Sequence, residues 1–277
     1  MGLQQNSSHF TTASNVFPVM PASLSLRKDT ISTDTKTYDK KTVWMLKQNP
    51  FSTRFTLPGT IPYFFPSGFC KQIKDKSEKF TQFLFRSLVE SDHLQTNIYL
   101  HYLIDQFQKN GSFGQITGNH GSGKSTLLSA LEEVFARKEY KIHKESLHDG
   151  QRRLSYEFWQ WFSELKKSPP DKSLIIVDGY EQLSWLQRFR LLLGCKIRGV
   201  GLLLTSHKPV HGIPVLYRTA ASQEQLEQIV DYLLEIPAGF IDENVLARLM
   251  LTHRNNIRDV LFALHDLYQE HLPPVRN

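Results

Sequence analysis

Gly118-Asn119-His120-Gly121-Ser122-Gly123-Lys124-Ser125, followed by Thr126, is the run with the most specific chemistry in the chain. Its glycines let the backbone curl so that successive N–H groups converge, and a helix opening at the end of the run would aim its positive end at the same point. That point is built for an anion, and the spacing G-x-x-x-x-G-K-[ST] is that of a phosphate-cradling loop. Lys124 is placed to reach the β- and γ-phosphates of a nucleoside triphosphate. The Ser125 hydroxyl is placed to bind Mg²⁺, which makes Thr126 a neighbour rather than the ligand.

A second carboxylate-bearing run lies downstream. Leu174-Ile175-Ile176-Val177-Asp178 is apolar up to its last residue, 54 positions after Lys124. A buried strand that ends in an acid delivers the charge beside the phosphate loop, where it can hold Mg²⁺ directly or through water. In isolation Asp178 reads as a turn residue before Gly179. Hydrolysis also needs a group that orients or deprotonates water. Glu181 is the candidate base, and its alternative is a helix-starting glutamate favoured by the N-terminal dipole. A third run, Gly201 to Leu204, ends in Thr205, Ser206 and His207, any of which could sense phosphate, and the alternation of strand side chains leaves open which of them points inward. His207 and His211 are four residues apart, but Pro209 and Gly212 exclude a helix presenting both to a metal.

These residues need strands to end at one rim. From Phe113 onward, short apolar runs alternate with longer amphipathic segments, which predicts a parallel sheet with helical crossovers. Strands are expected at Phe113 to Thr117, Tyr140 to His143, Leu174 to Asp178, Val200 to Thr205 and Ile213 to Tyr217. Leu127, Leu128, Leu131, Val134 and Phe135 predict one helical face, and residues 154–166 and 183–196 two more helices. After Tyr217 three helical patterns close the chain, the first with Ser222 and Gln225 at capping-box spacing. Upstream, Tyr99, Leu103 and Phe107 predict a helix, and Ser77 a cap on another. The four prolines among the aromatics of residues 49–68 predict an extended segment pinned on the core.

Composition narrows the class. The 277 residues are 40% hydrophobic, enough for a packed core, and the net charge of +6 permits but does not demand a polyanionic partner. Residues 1–40 hold twelve Ser or Thr and few apolar residues, and are expected to form a disordered tail. No apolar run approaches the ~18 residues of a membrane span. Cys70 and Cys195 offer neither a disulfide framework nor a zinc spacing, and with no secretory pattern a reducing cytoplasm is the expected compartment.

The loop resembles the Walker A motif of the P-loop NTPase superfamily, and Leu174 to Asp178 resembles Walker B. Residues 254–260, Arg254-Asn255-Asn256-Ile257-Arg258-Asp259-Val260, resemble the sensor 2 region of AAA+ ATPases, with Asn255 where glycine is common. The resemblance implies the additional-strand division, an α/β parallel sheet flanked by helices with a small C-terminal helical lid, and Mg²⁺-ATP as ligand. It implies that Arg258 reaches the γ-phosphate from the lid, that the strand ending at Thr205 lies between the two motif strands, and that the segment of Ile61 and Tyr63 contacts adenine. Core packing is the other reading of those two side chains. The implied organisation is a tail at 1–40, an extension packing on the core at 41–110, a nucleotide-binding core at 111–218 and a lid at 219–277.

The expected function is an ATP-binding, ATP-hydrolysing conformational switch. Between Thr205 and Ile213 there is little room for the helix and arginine finger of ring-forming relatives, so hydrolysis across subunits is not expected. A regulatory switch with little turnover is the alternative, because Asp178-Gly179-Tyr180-Glu181 is similar to STAND-type proteins and the placement of His207 to transporter-type ATPases. A phosphotransferase using Arg152 and Arg153 is a further alternative. A protein or DNA partner is compatible with the sequence, which leaves oligomeric state open.

Overall fold

Strands of five or six residues, the central two rich in leucine and isoleucine, set the architecture. The structure is a computed structural model that describes residues 49–52, 57–69, 92–165, 172–234 and 240–271. The expectations for the tail at 1–40, for the helix capped by Ser77 and for Cys70 lie outside the described residues.

Helix α1 (Asp92–Lys109) leads into β1 (Phe113–Gly118), α2 (Lys124–Arg137) and β2 (Lys141–Ser146). Then come α3 (Tyr156–Glu164), β3 (Ser173–Asp178), a single 3₁₀ turn at Tyr180–Gln182, α4 (Trp185–Arg198), β4 (Gly201–Ser206) and β5 (Val215–Thr219). Helices α5 (Gln223–Leu233), α6 (Glu243–Thr252) and α7 (Ile257–His271) close the chain. The five strands form one sheet in the order β2-β3-β4-β1-β5, and every pairing is parallel. Strand β4 therefore lies between β1 and β3, the order implied by the additional-strand resemblance. Five parallel strands flanked by helices make this an α/β fold.

The central strands β3 and β4 are buried almost end to end, as expected for strands covered on both faces. Alternate side chains feed two cores. Ile116, Leu174, Ile176 and Leu203 meet α1 and the buried stripe of α2, whereas Ile175, Val177, Leu202 and Leu204 meet Phe158 and Phe162 of α3 and Leu191 and Cys195 of α4. The α2 stripe consists of Leu127, Leu128, Leu131, Val134 and Phe135, the face expected from the 3.6-residue period.

Two strands depart from expectation by more than one residue. Strand β2 runs on to Ser146, because an edge strand with one wet face accommodates Lys144 and Glu145. Strand β5 starts after Pro214, whose carbonyl accepts the Gln115 N–H at 2.9 Å just before the register shifts between Gln115 and Ile116.

The three C-terminal helices bury Leu226, Val230, Leu246, Val260 and Leu264 in a third core, which also takes up Phe51 and Ile61. Ser222 caps α5 by accepting the Gln225 N–H at 3.2 Å, a contact whose loss typically costs about 1 kcal/mol. The Gln225 amide does not close the capping box; its Nε2 donates instead to the Phe64 carbonyl at 2.6 Å, tying α5 to the aromatic segment.

Candidate functional site

The C-terminal ends of β1, β3 and β4 open on one cavity of about 490 Å³, in the size range of small-molecule sites. Residues 120–126 line it, with Asp178, Glu181, Thr205, His207, Ile61, Tyr63 and Arg258. The sheet brings Asp178 and Thr205 to the loop because β3, β4 and β1 are adjacent and in parallel register.

The loop is held by contacts that tolerate only glycine at two positions. A side chain at Gly118 would collide with Thr219 and the Ser122 hydroxyl, and one at Gly121 with the Asn256 amide, at a φ of 67°. Ser122 Oγ lies 2.7 Å from the Asn119 carbonyl and 2.6 Å from Thr219 Oγ1, which fastens the loop to β5. Gly123, the residue before helix α2, lies in the left-handed region, and the helix has no side-chain cap and no acid in its first turn. Its leading N–H groups are therefore left for an external anion.

Lys124 is folded back on the loop. Its Nζ donates to the Gly118 carbonyl at 2.9 Å and the Asn119 carbonyl at 2.8 Å, and lies 3.3 Å from His207 Nδ1. Burial lowers its pKa from the ordinary value; the Glu181 and Asp178 carboxylates counter this and Arg258 adds to it. The same His207 Nδ1 lies 3.2 Å from the Gly118 carbonyl, and Nε2 lies 2.9 Å from Glu181 Oε1. The second Glu181 oxygen is buried without a partner. The His120 ring lies 3.8 Å from that of His207, and its pKa is lowered by burial, by His207 and by Lys124.

Among the three residues at the end of β4, alternation sends two to the cavity and one away. Thr205 Oγ1 donates to Asp178 Oδ1 at 2.5 Å and accepts the Gly179 N–H at 2.9 Å. Ser206 does not line the cavity: it is buried on the other side, donating to the Lys208 carbonyl at 2.8 Å beside Gln115. A hydroxyl so enclosed is not positioned to sense a phosphate, which corrects the open choice among Thr205, Ser206 and His207. Residues 207–214 contain no helix.

The lid supplies Arg258 from the first turn of α7. Arg254 and Asn255 occupy the left-handed region, at φ 53° and 59°, and Asn256 Oδ1 accepts the Arg258 N–H at 3.2 Å. Tyr63 packs against both the loop and the sheet core. Its buried hydroxyl lies beside Gln225 and Tyr217, and burial raises its pKa well above the ordinary value. Gly118 and Asn119 back the loop rather than lining the cavity, and Arg152 and Arg153 are not on its wall. Sequence reasoning missed His148, Asp149 and Gln182, which line it from the loops after β2 and β3. The signal was their position after strand C-termini, not their spacing.

The donor set suits a hard cation shared with a phosphate ligand. Ser125 and Asp178 both line the cavity, and no group of three or more His, Cys, Asp or Glu among the described residues could hold a metal alone. No helix among the described residues is long and apolar enough to cross a membrane.

No protein-family model matches the chain, and neither does any curated protein. Among solved structures, Drosophila ORC bound to DNA is similar at 13% identity and a TM-score of 0.47, over 91% of this chain and 65% of that one. AMPPCP-bound DnaA from Aquifex aeolicus is similar at 16% identity and a TM-score of 0.43, over 66% and 63%. A variant of RuvB from Thermotoga maritima is similar at 13% identity and a TM-score of 0.40, over 60% and 58%. The chain spans less than two thirds of each of these structures.

Proposed function

We propose that this chain is a Mg²⁺-ATP-binding P-loop ATPase of AAA+-like type that couples nucleotide binding and hydrolysis to movement of its helical lid. The carrying observation is the uncapped start of α2 with Lys124, facing Asp178 and Thr205 across one cavity. In this reading residues 111–218 bind the nucleotide, 219–277 form the lid, and the protein works in the cytoplasm.

Residues 120–125 receive the phosphates through backbone N–H groups, and Lys124 turns from the Gly118 and Asn119 carbonyls toward the β- and γ-oxygens. Ser125 and Asp178 would hold Mg²⁺, which when bound neutralises charge developing on those oxygens. Thr205 keeps Asp178 oriented. Glu181 orients the attacking water and takes its proton, and His207 positions Glu181. Arg258 brings lid charge to the γ-phosphate. Ile61 and Tyr63 cover the base.

A second reading, a regulatory switch with little turnover, is favoured by the engagement of Glu181 with His207. Calorimetric titration of Mg²⁺-ATP into wild type and Lys124→Ala tests the first claim, and unchanged affinity in the variant would sink it. Phosphate release by wild type against Glu181→Gln separates enzyme from switch: equal rates favour the switch.

A further inference from the structure

Helix α4 turns Leu191, Gly194 and Cys195 inward and leaves a large apolar face outward. Trp185 is 77% exposed, Leu186 57%, Phe189 58%, Leu193 44% and Ile197 64%. Trp185, Phe189, Leu193 and Ile197 recur every fourth residue and so form one ridge; at 100° per residue all five fall within an arc of about 120°. The face amounts to on the order of 600 Å² of apolar surface, the upper end of what a monomer leaves uncovered and close to the ~800 Å² that one partner contributes to a specific interface.

The charge on this helix is one-sided. It carries Arg188, Arg190, Lys196 and Arg198 and no acid, and none of the four forms an ion pair with another described residue. Arg190 lies 4.1 Å from the Trp159 ring and Arg198 4.6 Å from the Phe162 ring, so α3 holds both guanidinium groups in place without neutralising them. On the helix circumference Lys196 and Arg190 fall toward the two edges of the apolar arc.

The two longest segments outside the described residues carry no acidic excess to complement this face. Residues 1–48 hold six Lys or Arg against three Asp, and residues 70–91 hold five against three acids. A second copy presenting the same face would set cation against cation. A ridge of i, i+4 side chains is the shape that enters the groove of another helix, whereas a lipid surface has no need of one.

We propose that the outer face of α4 receives an amphipathic helix of another protein, with an apolar ridge flanked by Asp and Glu. The inference is independent of the nucleotide reading. It is tested on the full chain by fluorescence anisotropy with two labelled, designed 21-residue helical peptides of identical leucine pattern, one flanked by Glu and one by Lys. The expected result is at least tenfold tighter binding of the Glu peptide. That binding should be lost in Phe189→Glu/Leu193→Ser and shifted toward the Lys peptide in Arg190→Glu, with cooperative thermal unfolding retained in both, because Phe189, Leu193 and Arg190 are exposed. Equal affinity for the two peptides, or no binding of either, overturns the proposal. So does self-association of the wild type relieved by Phe189→Glu/Leu193→Ser, which points to a second copy. Flotation with phosphatidylserine vesicles that the same variant abolishes overturns it in favour of a membrane surface.

Discussion

Glu181 and His207 form a pair 2.9 Å apart, Oε1 to Nε2, while the other nitrogen of the same ring faces Lys124. The candidate base and the candidate phosphate-binding ammonium are thus linked through one imidazole. If Glu181 acts on the attacking water, Glu181→Gln is expected to lower ATP turnover on the order of 10²- to 10⁴-fold. The Kd for ATP should stay within about threefold, because the amide keeps the shape of the carboxylate. Phosphate-release kinetics beside calorimetric titration check both halves.

Thr205 bridges Asp178 and the Gly179 N–H. Thr205→Val keeps the volume but leaves that N–H without its acceptor, and is expected to destabilise the fold by about 1–3 kcal/mol. Urea unfolding should show a lower midpoint at unchanged slope. A midpoint equal to that of wild type would mean that the hydroxyl contributes nothing there.

Gly121 sits at φ 67° directly beneath the Asn256 amide. Gly121→Ala meets both a backbone penalty and a collision, with an expected loss of about 1–3 kcal/mol. Asn256→Ala removes the colliding group while sacrificing its bond to the Arg258 N–H, which costs about 1 kcal/mol. The double variant should therefore be more stable than the sum of the two single effects by about 1 kcal/mol or more. Simple additivity in thermal or urea melts would contradict this.

Burial pushes the Cys195 thiol from 9.0 up to about 12. The thiol is neutral when protonated, so its contribution is fully present below the unfolded pKa and lost as pH rises toward the folded one. Between pH 8 and pH 10.5 this group alone should withdraw about 2 kcal/mol of stability. Urea midpoints across that range, compared between wild type and Cys195→Ala, isolate the effect. The variant starts lower because of its cavity, and its midpoint should fall less steeply.

The sheet was legible in the sequence because the physics that builds it is local. Five apolar runs, the 3.6-residue stripe of α2 and the lid helices all stand where periodicity and capping put them, with edges shifted where a wet strand face or Pro214 intervenes. The residues at the strand ends were legible as a group for the same reason, since a parallel sheet gathers its C-terminal ends at one rim. Their orientations were not. Whether Thr205 or Ser206 faces the cavity depends on one step of strand phase, which the apolar run does not mark. The pairing of His207 with Glu181 and the folding of Lys124 onto its own loop are long-range contacts that leave no trace in spacing. The outward ridge of α4 was concealed because an apolar stripe ordinarily signals a buried face, and this helix has one on each side.

The packing of Asn256 over Gly121 leaves no slack between the loop and the head of α7. If nucleotide binding moves the helical segment as proposed, a ligand that swells the loop is expected to press on this joint and displace the last helix. The separation of these two residues is then expected to report occupancy, and a pair of spin labels on the flanking helices would read it.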